Sequence, residues 1–326
     1  MSIIDVHTHM YTRTWLELLR TRGGLYGLKV RPDGREEIFR GHTPVALPMP
    51  GHFDYELRLR DMDAAGIDLA IVSLTCPNVF WGGPEISLQA ARIMNDDMRE
   101  AQTAHPSRLR WFASLPWQYP ELALPERERA CAAGASGVMV LANIGGVPLT
   151  DPQFASIWAA IDAKGLPVLV HPTAPPGVAE MDMSRFQLTA SIGFTFDTTL
   201  ALARMIYDGF FDRYRKLKII GGHGGGALPY LIARMDQCFD NIPACREKTD
   251  IRPQEYMSRI YCDSVLFSSQ ALALCVDVFG ADNVLYGSDY PHTIGDMPGC
   301  LARVNALPAV VREKVRGLNA RTVFAL

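Results

Sequence analysis

Long apolar runs are missing from this sequence: nothing in it approaches the roughly eighteen uninterrupted apolar residues that a membrane helix needs. The opening Met1-Ser2-Ile3-Ile4-Asp5 has neither a basic nor an extended apolar region of the kind that directs secretion, so a cytoplasmic protein with no membrane contact is expected. An excess of one charge is also absent. The 32 Lys and Arg against 35 Asp and Glu leave a formal charge of −3, which gives nucleic acid no electrostatic footing. Paired cysteines are lacking too: Cys76, Cys131, Cys238, Cys245, Cys262, Cys275 and Cys300 are odd in number, scattered and free of any C-x-x-C pair. That excludes a disulfide framework and a zinc knuckle. No repeat, low-complexity tract or Gly/Ser/Pro-rich linker divides the chain, so one domain over residues 1–326 is expected.

What is present is a recurring alternation of short apolar, β-branched runs with helical patterns. The runs are Ser2–Val6, Asp68–Leu74, Leu109–Ser114, Gly137–Leu141, Pro167–Val170, Lys218–Ile220, Ile260–Asp263 and Val284–Tyr286. Helical periodicity falls between them at Tyr55–Ala65, Ser87–Ala104, Pro120–Ala133, Pro152–Lys164, Ala227–Cys238, Ser269–Phe279 and Pro308–Arg316. Strands that read as continuous apolar runs, each followed by a helix, form parallel sheets covered on the outside. Eight such units, with no G-x-G-x-x-G after the first, point to an α/β fold of the (β/α)8 TIM-barrel type rather than an open sheet. One stretch breaks the rhythm. From residue 11 to about 53 the chain runs through Arg31-Pro32-Asp33-Gly34-Arg35 and then Pro44, Pro48 and Pro50, which reads as a lid or small insertion over the strand ends.

Placed on this scaffold, His7 and His9 end the first strand, His171 the fifth, His223 the sixth, and Asp289 the eighth. All five thus fall at C-terminal strand ends, where barrel enzymes build their sites. His7 and His9 are two apart, so on extended chain both rings project to one side. Three imidazoles and a carboxylate suit one divalent ion: zinc is expected, with manganese as the alternative.

Asp5-Val6-His7-Thr8-His9, Val170-His171-Pro172, Gly222-His223-Gly224-Gly225-Gly226 and Gly287-Ser288-Asp289-Tyr290-Pro291 together resemble the motifs of the amidohydrolase superfamily, in the branch typified by aminocarboxymuconate-semialdehyde decarboxylase. The resemblance implies a mononuclear centre in which His7, His9, His171 and Asp289 are ligands, with His223 beside them as acid/base; His223 and Asp289 are then the catalytic residues. The run Gly137-Val138-Met139-Val140-Leu141-Ala142-Asn143 agrees with one ion, since it lacks the lysine that bridges two metals in binuclear relatives.

The branch implies a cofactor-free decarboxylase that cleaves a carboxylate from a small aromatic or unsaturated molecule. Hydrolysis of a lactone, ester or amide at the same site is the alternative. Arg40, Arg234 and His292 are the expected contacts to a small-molecule carboxylate, Arg234 by reaching a neighbouring subunit in a homodimer. Asp5 is expected to orient a ligand from behind, and Phe80, Trp81 and Phe194 to wall the pocket. One departure stands out: where the type decarboxylase has tryptophan after His171-Pro172, this chain has Thr173, which points to a different substrate.

Overall fold

The computed structural model describes residues 2–326. Strand β1 (Ile4–Met10) is followed by an antiparallel trio, β2 (Tyr26–Val30), β3 (Glu36–Arg40) and β4 (Thr43–Ala46). The parallel sheet resumes with β5 (Leu69–Leu74), β6 (Leu109–Ala113) and β7 (Gly137–Leu141), then passes a small hairpin, β8 (Asn143–Ile144) and β9 (Val147–Pro148). It continues through β10 (Pro167–His171), β11 (Lys218–Gly221), β12 (Ile260–Asp263) and β13 (Val284–Leu285). Eight strands pair in the order β1-β5-β6-β7-β10-β11-β12-β13. The ring closes where Val6 N donates to Tyr286 O at 3.0 Å and His9 N to Tyr290 O at 2.8 Å. This is the α/β barrel that the strand count implies.

β1 shows why the barrel carries chemistry on its inside. Every one of its residues is buried, and the alternation of an extended chain sends Ile4, Val6 and Met10 into the hydrophobic core while Asp5, His7 and His9 share the opposite face. Polar groups in so dry a place persist only with partners. On the outer side, the helix Tyr55–Ala65 is opened by the Asp54 side chain accepting from Leu57 N and stopped by Gly66 in the left-handed region. It delivers Arg58, fully buried, to Thr8 Oγ1 and the carbonyl of His9, with its guanidinium 4.8 Å from the centre of the Tyr290 ring. One cation therefore ties β1 to the turn after β13.

The expected insertion over residues 11–53 is built as the helix Arg13–Arg22, capped by Thr12, followed by the antiparallel sheet. Two expectations need correction. β1 extends past Val6 to Met10, because His7, Thr8 and His9 continue the ladder although they interrupt the apolar run. The helix Phe194–Tyr207 lies in a stretch that carried no helical assignment; its three threonines (Thr195, Thr198 and Thr199) are weak helix formers, and packing of Leu202, Met205 and Ile206 holds it in place.

Candidate metal centre

The rim predicted from sequence is assembled in space. One donor atom each from His7, His171, His223 and Asp289 lies within 4.8 Å of the others, and a second group, His9, Asp289 and His292, shares the same carboxylate. Asp289 Oδ1 is 3.3 Å from His7 Nε2 and 3.2 Å from His9 Nε2, while Asp289 Oδ2 is 3.5 Å from His223 Nε2. These side chains are all nearly or fully buried.

The far nitrogens of the rings decide what the near ones offer. His7 Nδ1 lies 2.5 Å from Asp263 Oδ2, His9 Nδ1 3.0 Å from Ser73 Oγ, and His171 Nδ1 2.8 Å from the carbonyl of Pro172. A carboxylate and a carbonyl only accept, and Ser73 itself donates toward Thr8 O, so each Nδ1 carries the proton. The Nε2 atoms of three rings then face the centre beside Asp289. His7 Nε2 and His171 Nε2 are buried without a hydrogen-bond partner, a cost that a divalent cation among them would remove.

Electrostatics favour the same occupant. Burial opposes ionisation of Asp289, but His292, His223, His7 and His9 hold its carboxyl well below the usual carboxylate range. Burial pushes His9 down to about 3 and, with the neighbouring rings, His171 well below the usual imidazole range. Burial disfavours charge on His7 as well, but Asp263 and Asp289 lift it to about 10, so its second proton is the one a divalent ion displaces; the neutral rings of His9 and His171 and the anionic Asp289 complete the divalent metal site. Cys76 also borders it, yet burial pushes its thiol up to about 12, so it stays a thiol and donates to Pro172 O.

Above the centre opens a cavity of about 330 Å³. His171, His223, Asp289 and His292 line its floor, and the insertion supplies Arg31, Arg35, Glu37 and Pro44–Leu47. His292 stands where the sequence placed it: its Nε2 lies 3.0 Å from Thr75 Oγ1, and its ring centre is 5.0 Å from that of His9. Arg40 does not reach the cavity. Alternate side chains of β3 face opposite ways, so Arg40 falls on the side opposite Glu37, and Arg31 and Arg35 are the cations at the wall. Arg234 is exposed on the helix Leu228–Asn241 and does not line the cavity above the centre.

Of the aromatic candidates, Phe194 lines the cavity, whereas Trp81 is buried in the core, edge-on to Trp15, with Phe80 packed alongside. Asp5 bonds the backbone N–H of His7 and the Ser288 hydroxyl rather than a ligand ring. Asp263 and Ser73, which hold the rings of His7 and His9, are not singled out by the sequence. Asp263 ends a barrel strand, the same rule that exposed the histidines.

The amidohydrolase family profile matches residues 4–326. The chain belongs to the amidohydrolase family. This amidohydrolase is 29% identical to 2-amino-3-carboxymuconate-6-semialdehyde decarboxylase of Dictyostelium discoideum over 99% of the chain and 91% of that protein. Its fold matches 5-carboxyvanillate decarboxylase of Sphingomonas paucimobilis with a TM-score of 0.87 and 26% identity, covering 100% of this chain and 99% of that one. It matches a dihydroxybenzoic acid decarboxylase of Polaromonas sp. JS666 with a TM-score of 0.81 and 25% identity, over 100% and 97% of the two chains. That structure holds manganese and the inhibitor 2-nitroresorcinol.

Proposed function

We propose that this amidohydrolase is a metal-dependent decarboxylase of small aromatic or unsaturated carboxylates. The observation that carries the reading is the meeting of His7, His171, His223 and Asp289 around one point, with His9 on the same carboxylate, beneath a cavity lined by His171, His223 and Asp289. Three relatives with different substrates, all named decarboxylases of small carboxylated molecules, support the reaction class.

His7, His9, His171 and Asp289 are the residues that would hold the ion. When bound, it supplies a Lewis acid that orients and polarises the substrate. Zinc suits three imidazoles and one carboxylate, and the manganese of the dihydroxybenzoic acid decarboxylase supports the alternative. His223 has one nitrogen on Asp289 and the other, Nδ1, buried without a partner. It delivers the proton to the carbon that loses CO2. Asp289 keeps that ring turned toward the cavity.

At the cavity wall Arg31, paired with Glu37 at 3.1 Å, and Arg35, paired with Asp33 at 2.7 Å, are the guanidinium groups that turn to a substrate anion, His292 offers a hydrogen bond from the side, and Phe194 an apolar wall for a planar ring. Arg234, exposed and outside the lining of its own cavity, serves a neighbouring subunit in a homodimer. The test is a panel of carboxylated aromatic and unsaturated acids with CO2 as the readout, run beside a panel of lactones and esters. Metal-dependent CO2 release is expected; turnover of the second panel alone would replace this reading with hydrolysis.

A further inference from the structure

Asp263 accepts four hydrogen bonds beside the site, and the reaction proposed above gives it no part beyond its bond to the His7 ring. It is fully buried at the end of β12. Its Oδ2 accepts from His7 Nδ1 at 2.5 Å and from the backbone N–H of His223 at 3.0 Å. Its Oδ1 accepts from the N–H of Gly224 at 3.1 Å and of Val265 at 3.0 Å.

His223 and Gly224 both lie in the left-handed region, at φ 54° and 66°. That conformation is unfavourable for a residue with a side chain, and it turns successive N–H groups toward one point, a concavity that closes on an anion. The anion here is Asp263. Close approach is built in from the other side as well: a Cβ at Gly287 would lie 2.9 Å from His7 Cβ and 3.1 Å from Asp263 Cβ.

We infer that Asp263 is a positioning residue that sets two things at once, the metal-facing tautomer of His7 and the strained turn that presents His223. Through Oδ2 it keeps the proton of His7 on Nδ1 and leaves Nε2 free for the ion. Through both oxygens it holds the backbone at 223 and 224 in the one conformation that aims His223 into the cavity. A ligand from β1 and a proton donor following β11 are thereby registered against the same carboxylate. The inference rests on the proposed metal site.

The discriminating variant is Asp263→Asn. An amide keeps one oxygen for Gly224 and Val265 but puts an NH2 donor where Oδ2 met two donors, His7 Nδ1–H and His223 N–H. The His7 clash is relieved by moving its proton to Nε2, the nitrogen the metal needs. Titration with zinc against a chromophoric chelator is expected to show an affinity loss of about tenfold to a hundredfold, the range seen when such supporting carboxylates are removed. At saturating zinc, kcat is expected to fall by at least about tenfold with KM little changed, because His223 alone is then misplaced.

Equal zinc affinity in wild type and variant would overturn the inference and leave the metal site standing; absence of zinc and manganese binding in the wild type would instead overturn the metal site itself. Should the variant fail to fold, the zinc-loaded wild type decides. Proton–nitrogen correlation spectra are expected to show His7 protonated at Nδ1 and slow to exchange, and coordination through Nδ1 would overturn the assignment.

Discussion

His7 stands between two carboxylates, its Nδ1 2.5 Å from Asp263 and its Nε2 3.3 Å from Asp289. Burial disfavours charge on this ring, yet the two anions lift it to about 10. In the metal-free protein His7 is therefore an imidazolium at neutral pH, and an ion arriving at Nε2 must displace a proton. Calorimetry at pH 7 to 8 in buffers of different ionisation enthalpy is expected to show about one proton released per metal bound. Metal binding with no buffer dependence would contradict this.

His223→Ala is expected to bind metal as tightly as the wild type and to lose at least about a hundredfold in kcat, the scale of lost acid/base catalysis. The backbone that Asp263 holds is unchanged by the truncation. Metal content and single-turnover rates measured on the same sample separate the two effects, and a rate within a few-fold of wild type would remove His223 from its role.

Replacing Arg35 or Arg31 with alanine is expected to raise KM about tenfold or more, since a hydrogen bond to a charged group contributes roughly 1.5–3 kcal/mol. Arg40→Ala, on the other side of β3, is expected to leave KM within about twofold. Steady-state kinetics on the best substrate of the acid panel checks both, and the reverse ranking would mean that the insertion closes in a different register.

Asp197 gives a pH dependence with a defined sign. Burial raises its carboxyl to about 6, despite hydrogen bonds from Thr173 N at 3.0 Å and Asn143 Nδ2 at 2.8 Å. The folded state thus holds this proton more tightly than the unfolded chain does. The associated stability is full below the ordinary carboxyl value of 3.8 and is lost as pH rises through about 6. Melting temperatures of metal-free wild type and Asp197→Asn, compared from pH 4 to 7, are expected to shift in favour of the variant as pH rises. A difference independent of pH would contradict the assignment.

Much of this architecture is legible in the sequence because buried parallel strands read as plain apolar runs; Gly137–Leu141 and Ile260–Asp263 coincide with the observed strands. The histidines of the centre are legible because an imidazole at the end of such a run is out of place in an apolar core. The antiparallel insertion is not, since Glu36-Glu37-Ile38-Phe39-Arg40 mixes charge with apolar residues on a half-exposed sheet and draws its partners from across turns. The place of Arg40 is hidden for the same reason: its distance along the chain says nothing about which face of a strand it occupies. Asp263 and Ser73 are not legible because each acts through the far nitrogen of a ring 256 and 64 residues away in sequence, a relation that only the closed barrel creates.

Anomalous diffraction from crystals soaked in manganese or zinc tests the central claim most directly. One strong peak is expected, about 2.0–2.2 Å from Nε2 of His7, His9 and His171 and from an Asp289 oxygen. A peak on His9, Asp289 and His292 alone, or no peak at this rim, would contradict it.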